Sequence, residues 1–147
     1  MKKILAFVAI AIVSISVLLS SCYKQTEYQP SMAGTIDSIA FAASGTGIVS
    51  QVVSGTLTMT GTTTIFTPGT TFNPAIKIVV PTAIGTYAIN NNASAVVYTS
   101  ATGSGGSKAV SGQVTVLNNA SGKVQGNFTF TTADGTTVTN GQFTTKE

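Results

Sequence analysis

The sequence predicts an all-β domain folded as an antiparallel sandwich, on three observations. From Ala33 onward no useful stretch keeps a 3.6-residue apolar period, and short segments instead alternate apolar with polar residues, as half-buried strands do. Thr, Val and Ile crowd these segments, and their branched side chains fit a pleated surface. Gly, Asn, Pro and Asp recur between them, each supplying turn geometry. A small lipocalin-like β-barrel is the alternative closure of the same strands.

The chain opens on Met1-Lys2-Lys3, a short positive stretch, followed by an uncharged run from Ile4 to Leu19. A spanning helix needs ~20 apolar residues, so this run is too short to cross a bilayer and has the build of a secretory signal. It ends on Leu19-Ser20-Ser21-Cys22, which looks like a bacterial lipobox: small side chains at Ser20 and Ser21 let the backbone lie extended in a peptidase cleft. The Cys22 thiol can then carry a thioether-linked diacylglyceryl group. Cys22 is the only cysteine, so no disulfide can form within the chain. Two or more acyl chains, at ~0.8 kcal/mol per buried CH₂, would hold such a protein on a membrane. Tyr23 follows where inner-membrane-retained lipoproteins typically have Asp, which by resemblance implies the outer membrane, with the periplasmic and surface leaflets both open.

The expected division is therefore a signal peptide over 1–21, a lipidated tether over 22–32 and one β domain over 33–147. Without the signal, Lys24, Lys77, Lys108, Lys123 and Lys146 face Glu27, Asp37, Asp134 and Glu147, a nearly neutral balance. With no arginine and no basic run, the phosphate-contact footprint of a nucleic-acid binder is missing.

Within the domain, Gly34–Ala42 is expected as the first strand, with Ile36 and Phe41 inward. Ile48–Val53 and Gly55–Thr60 follow, the second alternating so that Leu57 and Met59 face the core. The region from Gly61 to Pro74 reads as turns. Ala75–Val80 sets Ile76, Ile78 and Val80 opposite Lys77, and Pro81 stops it. Gly85–Ile89 ends at Asn90-Asn91-Asn92, and Ala95–Thr99 precedes a Gly/Ser loop over Thr102–Ser107. Val110–Val116 is expected to put Val110, Val114 and Val116 on one face. A loop at Asn118–Gly122 leads to Lys123–Thr131, with Val124, Phe128 and Phe130 inward. A tight turn at Ala133-Asp134-Gly135 leads to Thr136–Thr144. Val138 and Phe143 lie five apart, so strict alternation would separate them; a bulge at Asn140-Gly141 would return both to the core.

Several of these segments, in order, carry a resemblance: Met32-x-Gly34-x-Ile36-Asp37, Gly85-Thr86-Tyr87, Ser111-Gly112-x-Val114-Thr115-Val116, Val124-x-Gly126-x-Phe128-x-Phe130 and Val138-Thr139-Asn140-Gly141-x-Phe143. Together the chain resembles a family of uncharacterised, all-β Bacteroidota lipoproteins. The resemblance implies the architecture and the envelope location, and carries no activity with it. The chain departs from that family in its lower mid-chain aromatic content.

Chemistry is bounded mostly by exclusion. Without histidine there is no Ser-His or Cys-His pair, no HExxH zinc site and no His-based general base. The one S-x-x-K, Ser21 to Lys24, would be cut apart by signal cleavage. Only Asp37 and Asp134 could form a carboxylate pair inside the domain, and Asp134 is expected in its turn for geometry alone. Gly103-Ser104-Gly105-Gly106-Ser107-Lys108 has the composition of a phosphate loop without its spacing. No acidic cluster suits calcium. No cofactor and no metal is expected, and no enzymatic activity. Asn92-Ala93-Ser94, Asn119-Ala120-Ser121 and Asn127-Phe128-Thr129 fit the N-glycosylation triplet, which so Asn- and Thr-rich a chain meets by chance. Asp37-Ser38-Ile39 resembles an Asp-Ser/Thr-apolar O-glycosylation signal of the same bacterial group, making Ser38 a candidate acceptor.

The expectation is a membrane-anchored, non-enzymatic β domain that interacts with an envelope protein or polymer through outward Thr, Ser, Asn and Gln. A glycan-binding module, with Tyr87 and Tyr98 as ligand-contact candidates, is the second reading. A lipocalin-like carrier of an apolar ligand, lined by Leu57, Ile76, Val114 and Phe128, is the third.

Overall fold

The computed structural model describes residues 29–67, 70–98 and 105–145, and these are almost wholly β. The antiparallel all-β class expected from the alternation is the one found. Cys22, Leu19, Ser20 and Ser21 lie outside the described residues.

The first expected strand is two. β1 (Ser31–Ile36) and β2 (Ile39–Ser44) form a hairpin, because Asp37 and Ser38 both take positive φ, 44° and 74°. That is the requirement of a two-residue turn matched to strand twist, usually met by Asn-Gly or Asp-Gly. Ile36 and Phe41 are nevertheless both buried. Met32, expected in the tether, lies in β1 and is wholly buried, so the folded domain reaches back at least to Ser31.

A three-residue 3-10 turn, Gly45–Gly47, leads to β3 (Ile48–Val53), and Ser54-Gly55 turns it into β4 (Thr56–Thr62). The segment expected as turns contains a small separate hairpin, β5 (Ile65–Thr67) and β6 (Thr70–Phe72). β7 (Ala75–Pro81) ends as anticipated at its proline, which sits opposite Thr56 at the end of the ladder. β8 (Gly85–Ala88) and β9 (Ser94–Tyr98) flank the Asn90–Asn92 turn. β10 (Ser107–Ala120), β11 (Lys123–Thr132) and β12 (Thr137–Thr144) complete the fold. Asn118 and Asn119 continue β10, and the reversal is confined to Ser121-Gly122, again both at positive φ.

The strands follow one path, β2-β1-β12-β11-β10-β9-β7-β4-β3, with β8 also beside β10. β10 serves both halves: Ser107 and Lys108 pair with β9, and Gln113–Val116 pair with β8. Between these stretches the ladder to β11 skips Val110, and Gly112 takes φ 119°. The extra residue reverses the phase. Val110, expected inward, is therefore 52% exposed, while Ala109 faces the core with Val114 and Val116. A side chain on Gly112 would put its Cβ 2.2 Å from the Thr129 carbonyl oxygen. The bend folds the sheet back on itself, and the 3-10 turn joins its far edges, β2 and β3, so the sheet nearly closes as a barrel.

One apolar cluster fills the space between the halves. Leu57, Met59, Ile76, Ile78 and Val80 meet Met32, Phe41, Val114, Phe128, Phe130, Val138 and Phe143 there. Fully burying each large side chain is worth about 1.5–3 kcal/mol, which is ample glue for a disulfide-free domain. The bulge expected in β12 is present: Phe128 opposes Gly141 and Phe130 opposes Val138, so one β11 residue, Thr129, spans both Thr139 and Asn140. Asn140 takes φ 52°, and Val138 and Phe143 both reach the interior.

Candidate functional site

The same bulge shapes the outer face of the sheet. Cross-strand register sets Thr115 opposite Asn127, and Asn127 opposite Gln142; one step along, Gln113 stands opposite Thr129, beside the bulged Asn140. These six side chains line an open hollow of about 300 Å³, with the backbone at Phe128 and Gly141 at its base. Bulges recur at functional surfaces because they re-aim one side chain and open the ladder. Here the residue re-aimed is Asn140.

No lining residue is charged. The hydroxyls are already engaged: Thr115 Oγ1 shares a hydrogen bond with Thr86 Oγ1 at 3.0 Å, and Thr129 Oγ1 donates to the Val138 carbonyl at 3.0 Å. The amides are not. Elsewhere Asn90 and Asn119 donate through Nδ2 to the carbonyls of Val110 (2.8 Å) and Thr82 (3.0 Å), bracing the fold. Among the described residues, no hydrogen bond engages the side chains of Gln113, Asn127, Asn140 or Gln142. Each presents a donor and an acceptor to solvent. An arrangement of neutral, two-sided hydrogen-bonding groups can hold a polyhydroxylated or amide-bearing ligand.

Ser38, the candidate modification site, is exposed at the β1–β2 turn. Its neighbour Asp37 is occupied, accepting from Thr137 N (2.6 Å) and Thr137 Oγ1 (3.0 Å), while Asp37 N donates to the Thr137 carbonyl (3.0 Å). Tyr87 and Tyr98 are both half-buried, on β8 and β9, between which no ladder forms. The Tyr87 hydroxyl donates to the Ala83 carbonyl at 2.8 Å, and its ring lies beside Gly85 and the core. The Tyr98 ring lies against Gly106, with Cε1 2.5 Å from where a Cβ would stand. Each ring covers a glycine, and neither borders the amide hollow.

The two carboxylates flank the start of β12. Asp134 accepts from Thr132 Oγ1 and from Thr136 N, while Asp37 holds Thr137. Hydrogen bonds from Thr132, the Thr136 backbone and Ser107 lower the Asp134 pKa to about 2. A glycosidase acid needs the opposite shift. Among the described residues, no group of three His, Cys, Asp or Glu could hold a metal ion.

The amide hollow was not foreseen. Its residues come from three strands, and only the registers and the bulge bring them together; the outward polar alternation of β10 and β11 was the one available signal.

Compared with protein-family models, with curated proteins and with solved structures, the chain has no match.

Proposed function

We propose that this chain is a bacterial envelope lipoprotein of the Bacteroidota type it resembles, anchored through lipid on Cys22 in the outer membrane. Its β domain works by binding, without catalysis, and the ligand is a neutral envelope polysaccharide lying in the hollow of Gln113, Asn127, Asn140 and Gln142. The observation that carries the binding reading is that these amides are uncharged, gathered across three strands and uncommitted, while Asn90 and Asn119 are used structurally. Vicinal hydroxyls pair well with a group that donates and accepts at once. Support for the anchor comes from the sequence alone: the charged start, the short apolar run and Leu19-Ser20-Ser21-Cys22.

Co-sedimentation of the full chain with insoluble neutral polysaccharide tests the binding site. Asn127→Ala with Gln142→Ala should abolish retention without lowering the unfolding temperature; undiminished retention refutes the site. Cys22→Ser should release the protein from the membrane and leave the precursor unprocessed, and unchanged partitioning and processing would overturn the anchor. Protease treatment of intact cells then separates a surface-facing domain from a periplasmic one. Ser38, exposed in its turn, is the proposed acceptor for an O-linked glycan, read as a mass difference that Ser38→Ala removes.

A further inference from the structure

We propose that β3 pairs with β3 of a second copy of this chain, antiparallel about a two-fold axis through Gln51, joining two domains into one continuous sheet. β3 ends the strand path, with β4 as its only ladder partner among the described residues. Edge strands are ordinarily guarded by charges, prolines, bulges or shortness. None guards this one: Ile48–Val53 carries no charge and no proline, and its register against Gly61–Thr56 is unbroken. Val49 is 70% exposed and Val53 57%, with Val52 also open. β2, at the other end of the path, exposes Ile39 as its only large apolar residue.

The backbone selects the register. The two-residue turn at Ser54-Gly55 makes Val53 and Thr56 a hydrogen-bonded pair, so Val53, Gln51 and Val49 bond to β4, and Val52, Ser50 and Ile48 point away. The Ile48 N–H is already bonded to the Gly45 carbonyl. Among the described residues, that leaves Ser50 and Val52 with both groups available. A two-fold axis through Gln51 places Ser50 of each copy opposite Val52 of the other, using these groups and no others. It also sets Val49 against Val53 of the second copy, and Gln51 against itself, so on the face these residues share apolar meets apolar and amide meets amide. Moving the axis to Ser50 would call on the committed Ile48 N–H and put Val49 against Gln51. A one-residue slip would turn the apolar face over. The edge is complementary to itself in one register, as an isologous contact requires.

Disulfide trapping of the full chain in detergent tests this. Across the axis, position 51 faces itself in a non-hydrogen-bonded pair with Cα atoms about 4.5 Å apart, within disulfide reach. Gln51→Cys should therefore cross-link into dimers well above the level seen with the unsubstituted chain. Val49→Cys alone should stay at background, whereas mixed Val49→Cys and Val53→Cys chains should cross-link. Gln51→Lys and Gln51→Glu copies should each lose self-capture, tagged copy by untagged, and recover it when mixed. Cross-linking of Gln51→Cys at background, or of Val49→Cys alone as strongly as Gln51→Cys, overturns the pairing.

Discussion

Phe143 stands directly across the β11–β12 ladder from Gly126, with Cε1 of its ring 2.6 Å from where a Gly126 Cβ would lie. The relationship is reciprocated two residues along, where Phe128 opposes Gly141 and its Cδ2 lies 2.3 Å from the corresponding point. The two rings, 6.4 Å apart, thus shield a pair of glycine backbones that would otherwise weaken the strands. Glycine and aromatic are a unit here.

Alanine at either glycine should break that unit. Gly126→Ala would also bring Cβ 2.1 Å from the Thr115 carbonyl, backbone that cannot yield cheaply. Overpacking of this kind costs about 1–3 kcal/mol, and urea unfolding of Gly126→Ala and Gly141→Ala should show losses in that range. Stability equal to the parent's would mean the rings have room to move.

The bulge admits a cleaner separation of fold from binding. Asn140 adopts φ 52°, where glycine is at ease. Asn140→Gly should leave the unfolding free energy within about 0.5 kcal/mol of the parent's while weakening polysaccharide retention. Deleting Asn140 should remove the bulge and still allow folding, because Val138 and Phe143 would then lie four apart and strict alternation keeps both inward, while retention falls with the loss of the re-aimed amide. Circular dichroism should show both variants folded.

Asp37 ties the β1–β2 turn to the start of β12 by the two bonds its carboxylate accepts from Thr137. Asp37→Ala should destabilise by about 1.5 kcal/mol, in the range for bonds to a charged acceptor. Asp37→Asn, which keeps an acceptor and tolerates positive φ, should recover most of that. Thermal unfolding of the two variants side by side gives the comparison.

Acid should weaken the domain in a defined window. The Asp134 pKa falls from 3.8 to about 2 on folding, so the unfolded chain binds the proton more tightly. The stabilisation is complete above 3.8 and is lost as pH falls through about 2. Asp134→Asn should flatten that part of the stability profile, measured by denaturant titration at successive pH values. An unchanged slope would place the acid sensitivity elsewhere.

What could be read from the sequence followed how loudly each residue spoke. β4, β7 and β11 were legible because large apolar residues alternate without interruption, as in Thr56–Thr60. The bulge at Asn140-Gly141 was legible because Val138 and Phe143 made conflicting demands on one face. The bulge at Val110 was silent: Ala109, the residue that takes the core position, is too small to contradict a neighbouring valine. The β1–β2 turn was missed because Asp-Ser lacks the usual glycine, and the Thr137 bonds that stabilise it lie a hundred residues away. The amide hollow depends on pairings between strands, which no local pattern encodes.

β1 lies between β2 and β12, its Met32 paired with Phe143. A strand near the front of the domain thus waits for one near the back, and no shorter nascent fragment can satisfy it. The β1–β2 hairpin can therefore dock onto the sheet only after β12 has been made, and closing a loop of that length is a slow step.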